Sequence, residues 1–419
     1  MPVREPVPSR RSGIAAVLSL LLTAHAALLL ASPRPALAAP WRQPGFAASR
    51  SSFNPREIAV DPSNVGSLVE RWRAPGVGVT GSIVSGGGRV FGSNGGEMIA
   101  LSIANGAELW RTAAQDEFWF GSPVLTPDGK VTSEELWIGG GGTALFDPAS
   151  GTYSPGVGGG FHSRRFNHAI HKGIAYALDL SFGSGGPFLV TLGPYDGLVD
   201  YSGFPPRPWR GLAVHGDHAF TGIGSTLEAF DLLSCPDPLN FAGMFVYCRP
   251  AWTAVLPGGF STPVAFRGSV AVASDDGTLQ VRAAADGALE WSATVAAGVG
   301  HAPAVAKRRI FVPTDRGVIV AFDSRGCGSA TCEPVERFRT GSPATGQPVV
   351  AGKVLYAGTK DGRIVAFRAS GCPEAVCDPL LDVDLGGGAI VAGPIVVDGT
   401  VIAATADGQL VALGLPQPE

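Results

Sequence analysis

The chain has 419 residues, among them 59 Gly, 34 Pro and 6 Cys; 16% are charged, 45% are apolar, and the formal charge is −4. So much glycine with so little charge excludes long amphipathic helices and points to many short buried strands joined by tight turns. The absence of any Lys/Arg run excludes a nucleic-acid partner, and the apolar content excludes disorder over most of the length.

Residues 1–38 read as an export signal. Arg4, Arg10 and Arg11 form a positive n-region, Gly13–Ala31 an apolar run, and Ala36-Leu37-Ala38 an A-x-A cleavage site. The run is longer than most signal cores, so an uncleaved anchor is the alternative; His25 inside it and the cleavage site favour removal. Ser9-Arg10-Arg11 hints at twin-arginine export, although the apolar residues expected after the pair are incomplete. Cleavage removes four Arg and one Glu, which moves the charge from −4 by three to −7. With no second apolar span, the mature protein is expected to be soluble, without a membrane span, and secreted or periplasmic.

A lead-in segment, 39–68, precedes a strand in "LVERWRAP" around Trp72. Repeated units follow. "SIVSGGGRVFGSNGGEMIALSIANGAELW" (Ser82–Trp110) is a clean copy and "SPVLTPDGKVTSEELWIGGGGTALFDPASG" (Ser122–Gly151) a good one. The two copies starting at His168 and Gly211 are degenerate, and four well-marked copies start at Thr262, Ala302, Gln347 and Gly393. Each has a short apolar strand, a turn, a β-rich strand, a Gly turn and a third apolar strand. The turn glycines Gly277, Gly317, Gly362 and Gly408 are 40, 45 and 46 residues apart, which is a propeller period. Asp-Gly and its variants supply the positive φ of a tight hairpin. A fourth strand follows each unit, around Trp110, Tyr153, Tyr201, Trp252, Trp291, Phe338 and Val383, but the eighth unit ends the chain without one. The fold expected is therefore all-β: an eight-bladed β-propeller of four-stranded antiparallel blades over 69–416, closed by the N-terminal strand pairing with the last blade, with 417–419 as a tail. Seven blades is the alternative, because the third unit is poorly marked. The recurrent aromatics are read as anchors between blades.

The cysteines keep register with the repeat. Phe230, Phe322 and Phe367 share a third-strand position, Cys235, Cys327 and Cys372 each follow five residues later, and Cys248, Cys332 and Cys377 come just before the fourth strand. Facing ends of a hairpin can meet disulfide geometry, and an exported protein meets oxidising conditions. Zinc would need short C-x2-C knuckles converging from one place, and a redox centre would need C-x-x-C at a helix N-terminus. The expectation is three local disulfides, Cys235–Cys248, Cys327–Cys332 and Cys372–Cys377, acting as structural staples. His168/His171 and His215/His218 are three apart, but across strands and turns that spacing points to opposite faces, so no metal site is expected.

The repeat V-x-x-G-x-V-x-x-x-x-x-D-G-x-[IL]-x-A-[FL] followed by a Trp strand resembles the PQQ-like, quinoprotein alcohol dehydrogenase-like β-propellers. The lead-in "WRQPGFAASRSSFNPREIAVDPSNVGSLVERWRA" (Trp41–Ala74) resembles the segment that opens many exported members. The resemblance implies one of two branches. Quinoprotein dehydrogenases hold PQQ and Ca²⁺ in the channel, under a disulfide between adjacent cysteines, with Glu, Asn and Asp on the calcium and another Asp as base. The outer-membrane assembly scaffold has the same propeller, no cofactor, and a partner-binding face. This sequence has no Cys-Cys pair, no long insertion to roof a cofactor, and only Asn167 in a channel-facing register, so no catalytic residue is assigned and no cofactor is expected.

A site would lie where the loops leading into the first strands ring the channel. Those positions are Thr80, Phe120, Asn167, His168, Trp209, Arg210, His301 and Gln347, with Trp119, Arg164 and Arg165 beside them. Three readings fit: a pocket for an anionic or sugar-like ligand, with Arg210 and Arg165 as charge donors and Trp209 or Phe120 stacking; a protein-binding rim; or side chains that bond backbone carbonyls around a watery channel. The function expected is a non-catalytic, monomeric binding or scaffold protein whose partner is a protein or polysaccharide of the cell envelope; the alternative is a PQQ/Ca-dependent dehydrogenase.

Overall fold

Short strands separated by positive-φ turns build nearly everything described in this protein. The computed structural model describes residues 40–417 except 116–117, 138–139, 156–164, 173, 180–187, 193–208, 235–249, 296–297 and 299. The chain divides into two compact units, Met1–Ala38 and Ala39–Glu419, and the fold described is that of the second. Among the described residues the strands form eight sheets, numbered 1 to 8 by their first strands.

Sheet 1 comprises Val84–Gly86, Arg89–Ser93, Glu97–Ser102 and Glu108–Ala113. Sheet 5 (Val264–Phe266, Ser269–Ala273, Thr278–Ala283, Leu289–Thr294) and sheet 6 (Ala304–Ala306, Arg309–Pro313, Val318–Asp323, Glu336–Arg339) repeat that order. Sheet 4 contains Trp209–His215, His218–Ile223, Thr226–Asp231 and Trp252–Val255, and sheet 7 contains Val349–Ala351, Val354–Gly358, Arg363–Arg368 and Leu381–Asp384. In sheet 2 the first strand is split into Phe118–Phe120 and Val124–Leu125, both pairing with Val131–Trp137. Sheet 3 shows Arg165–His171, Ile174–Asp179 and Phe188–Leu192; the fourth strand expected around Tyr201 lies outside the described residues.

Sheet 8 takes its fourth strand from the other end of the chain. Val69–Ala74 pairs antiparallel with Leu410–Gly414, beside Thr400–Thr405 and Ile390–Val397, as expected for the strand around Trp72. The turn glycines of the repeat, Gly277, Gly317, Gly362 and Gly408, have φ of 84°, 69°, 87° and 85°, a region that a Cβ makes costly.

Neighbouring sheets are joined by tryptophans. A Cβ on Gly106, Gly151 or Gly287 would lie within 2.5, 2.6 or 2.6 Å of the rings of Trp72, Trp110 and Trp252 respectively. Each of these indoles donates to the carbonyl three residues before its glycine: Ile103 at 2.9 Å, Pro148 at 3.0 Å and Ala284 at 2.8 Å. Of the aromatics read as anchors, Trp110 and Trp252 therefore sit on the turn of the next sheet, Trp72 of sheet 8 sits on sheet 1, and Tyr201 lies outside the described residues.

Two of the expected disulfides, Cys327–Cys332 and Cys372–Cys377, are present with Cα separations of 5.6 and 5.7 Å. Cys235 and Cys248 lie outside the described residues. Each looped pair lies along the outer strand of the preceding sheet. Cys332 N–H donates to Ser292 O and Ser292 N–H to Ala330 O; Cys377 N–H donates to Arg337 O and Arg339 N–H to Cys377 O.

The lead-in visits the first strand of every sheet in chain order. Ser85 N–H donates to Trp41 O, Leu125 N–H to Arg42 O, and Ile170 N–H to Gln43 Oε1. Val214, Ala265, Val305 and Val350 donate to the carbonyls of Ala48, Ser49, Ser51 and Ser52, and Asn54 Nδ2 donates to Val396 O. These contacts fall between Trp41 and Asn54, so the ends of all these first strands lie around a path of at most about 50 Å. Phe53–Asn54 also pairs parallel with Val350–Ala351. Three buried side chains fix the segment. Arg50 Nε donates to Leu212 O at 2.8 Å, Asn54 Nδ2 bonds as above, and the Glu57 carboxylate accepts from Ala59 and Gly399 N–H.

Candidate functional site

The lead-in meets the first strands near their C-terminal ends, which leaves their N-terminal ends facing a cavity of about 320 Å³. Trp41, Pro44, Gly45 and Ser52 of the lead-in line one part of it. Its walls come from the segments leading into the first strands of sheets 7, 8, 1 and 2, with Ser82, Ser122, Thr345 and Gln347 as the polar side chains. Ser82 N–H donates to Ser122 Oγ at 3.1 Å, and Gln347 Nε2 donates to Arg50 O at 2.6 Å and Pro303 O at 2.8 Å. No lining residue is ionisable. The cavity offers hydroxyls, backbone groups and one amide that is already engaged. Such a surface can bind neutral polar groups; it contains no general base and no carboxylate for a cation.

The residues singled out in the sequence take different places. Gln347 reaches the cavity, where its amide holds the lead-in. His301 precedes the first strand of sheet 6 and is half-buried, and burial lowers its imidazole pKa and favours the neutral form. Phe120, expected as a stacking surface at the mouth, is 4% exposed and packs edge-on against Phe146 at 5.1 Å. The split first strand of sheet 2 turns it inward, so its ring belongs to the core shared by sheets 1 and 2. Trp119 beside it is 50% exposed.

Arg165, Asn167 and His168 lie at the start of the first strand of sheet 3, with Asn167 and His168 in a register shift between Phe166 and Ala169. Trp209 and Arg210 lie at the start of the first strand of sheet 4, just before a second shift. These bulges put the five residues at the same strand end as the cavity; their side chains are outside the described residues, as is Arg164. His215 and His218 are cross-strand partners at a hairpin. Among the described residues no three His, Cys, Asp or Glu converge on one point. Sequence reasoning missed Ser82, Ser122 and Thr345, because hydroxyls in a Ser- and Thr-rich β chain carry no signal of their own.

Residues 248–417 match the family described as "Outer membrane protein assembly factor BamB". The fold is similar to that of BamB from Moraxella catarrhalis (TM-score 0.58, 15% identity, covering 84% of this chain and 99% of that one). It is similar to quinohemoprotein alcohol dehydrogenase ADHIIG from Pseudomonas putida HK5 (TM-score 0.62, 12% identity, 91% and 82% covered). It is also similar to the computationally designed Ika8 protein (TM-score 0.64, 14% identity, 82% and 99% covered). Among curated proteins, none matches this sequence. The C-terminal repeats thus resemble that family, and the fold as a whole is similar to that of PQQ-like β-propellers.

The family's dehydrogenases imply PQQ and Ca²⁺, and the described cavity does not fit them. Calcium takes six to eight oxygen ligands, carboxylates prominent among them, and the lining carries no Asp or Glu. It carries no Arg or Lys for the carboxylates of a quinone, and the lead-in takes up one end of the space.

Proposed function

We propose that this protein is an exported propeller of eight blades, closed into a ring by Val69–Ala74, that works without catalysis. It binds or scaffolds through the loops leading into its first strands, and its partner is a protein, or secondarily a polysaccharide, of the cell envelope. The observation that carries this reading is the cavity lining, which is uncharged, mixes hydroxyls with apolar side chains, and is bounded on one side by the protein's own lead-in. The eight-blade ring is supported by the lead-in's ordered contacts with the first strands of sheets 1 to 8 and by Trp72 of sheet 8 seated on Gly106 of sheet 1. The extracytoplasmic location is supported by the disulfides. The protein partner is favoured because one similar fold is named as an assembly factor of the outer membrane.

The test is a calorimetric titration of the oxidised protein lacking residues 1–38 with PQQ in the presence of Ca²⁺. The reading predicts no heat beyond dilution. Saturable binding at micromolar concentration would overturn it and direct attention to alcohol and sugar dehydrogenation.

A further inference from the structure

A cluster of cations in an otherwise charge-poor chain lies at the other end of the first strands. A cavity of about 570 Å³ sits between the first hairpins of sheets 6 and 7, and its lining includes Lys307, Arg308, Arg309, Lys353 and Arg368 against a single carboxylate, Asp323. The whole chain carries a formal charge of −4, so five cations around one cavity run against the composition.

Internal ion pairs account for only part of this charge. Arg308 pairs with Asp323 at 2.9 Å, while Arg309 lies 3.9 Å from both Asp323 and Glu336. The Arg309 Nε is buried with no hydrogen-bond partner among the described residues. Lys307, Lys353 and Arg368 are exposed and make no ion pair within 4.0 Å among the described residues. Asp61, beside the cavity, is close enough to feel Lys353, but its carboxylate already accepts from Ser63 N–H and Oγ.

At the first central position of these hairpins sheet 7 has Gly352 (φ 58°) and sheet 6 has Lys307 (φ 55°), while sheets 3, 5 and 8 also carry non-glycine residues there, Lys172, Arg267 and Asp398.

We infer that this seam between sheets 6 and 7 binds a phosphate ester, with Lys307, Lys353 and Arg368 as the charge donors. Several converging cations suit a dianionic oxyanion better than one carboxylate, and a guanidinium meets phosphate oxygens bidentately. The cavity is far larger than a phosphate group, so the ester is part of a bigger molecule, either a soluble sugar phosphate or a lipid headgroup. This site is independent of the partner-binding reading above.

The experiment titrates the oxidised protein lacking residues 1–38 with glucose 6-phosphate by calorimetry. In parallel, it measures co-sedimentation with phosphatidylcholine vesicles with and without phosphatidic acid. Two variants accompany it: Lys307→Gly, which places there the residue that sheet 7 has, and Arg368→Ala on an exposed side chain. Saturable glucose 6-phosphate binding that weakens about tenfold or more in both variants, at unchanged melting temperature, supports the site with a soluble ligand. Sedimentation only with phosphatidic acid, lost in both variants, supports it with a lipid headgroup. Absence of both, or binding that the folded variants retain in full, overturns the proposal. Arg368→Ala carries the test alone if Lys307→Gly fails to fold.

Discussion

Two kinds of seam hold neighbouring sheets together. Between sheets 8 and 1, 1 and 2, and 4 and 5, an indole lies flat on a glycine turn and donates to the carbonyl three residues upstream. Between sheets 5 and 6 and sheets 6 and 7, a disulfide-closed loop adds backbone hydrogen bonds to its neighbour's outer strand. The seam between 5 and 6 shows both in part. Trp291 still covers Gly326, with a Cβ there only 2.8 Å from the ring, but its Nε1 is buried with no partner among the described residues. Between 6 and 7 the tryptophan is replaced by Phe338, which has no donor at all. At these two seams, where no indole hydrogen bond is described, a stapled loop is present.

The largest effect expected on this comparison comes from removing a seated indole. Trp110→Ala empties the space between sheets 1 and 2 and strips the half-buried Pro148 carbonyl of its donor; chemical denaturation should show a loss of about 3–5 kcal/mol. Replacing both Cys372 and Cys377 by Ala opens a short loop and should cost about 2 kcal/mol, and reduction of the unmutated protein, which opens Cys327–Cys332 as well, should cost more. If the double replacement is neutral, the loop holds its seam without the staple. Smaller, and sharper, is the pair of Trp→Phe changes. Trp110→Phe gives up a hydrogen bond and should cost about 1 kcal/mol more than Trp291→Phe, which gives up none. Equal costs would mean that only ring contact matters at either seam.

The smallest effect is on pH. Burial depresses the His301 pKa in the folded state, so the unfolded chain takes up the proton first. Its contribution is complete above the unfolded value of about 6.5 and is lost as pH falls below it. Thermal melts between neutral and mildly acid pH should show a decline that His301→Asn reduces.

What could be read from the sequence was what the repeat makes local. The cysteines sit at one register position, the turn glycines recur at a fixed period, and the fourth-strand tryptophans mark every seam they fill; each has a side chain that announces its job. The lead-in left far less trace. Its contacts use the carbonyls of Trp41, Arg42, Ala48, Ser49, Ser51 and Ser52, which any residue could supply, and only Gln43, Arg50 and Asn54 commit side chains. For the same reason Gln347 read as a ligand contact when its amide holds the backbone of Arg50. Phe120 read as a rim aromatic because nothing in its neighbours signals that the first strand of sheet 2 splits in two.

That the lead-in is built onto the first strands of the sheets, and so bounds an uncharged cavity, is the claim on which the functional reading depends. Hydrogen–deuterium exchange of the protein lacking residues 1–38 tests it most directly. The amides of Ser85, Leu125, Val214, Ala265, Val305 and Val350 donate to the lead-in and should exchange as slowly as the centres of their sheets, with residues 41–57 showing matching protection. Rapid exchange at those amides and throughout 41–57 would mean that the segment is free of the first strands, and would contradict the account.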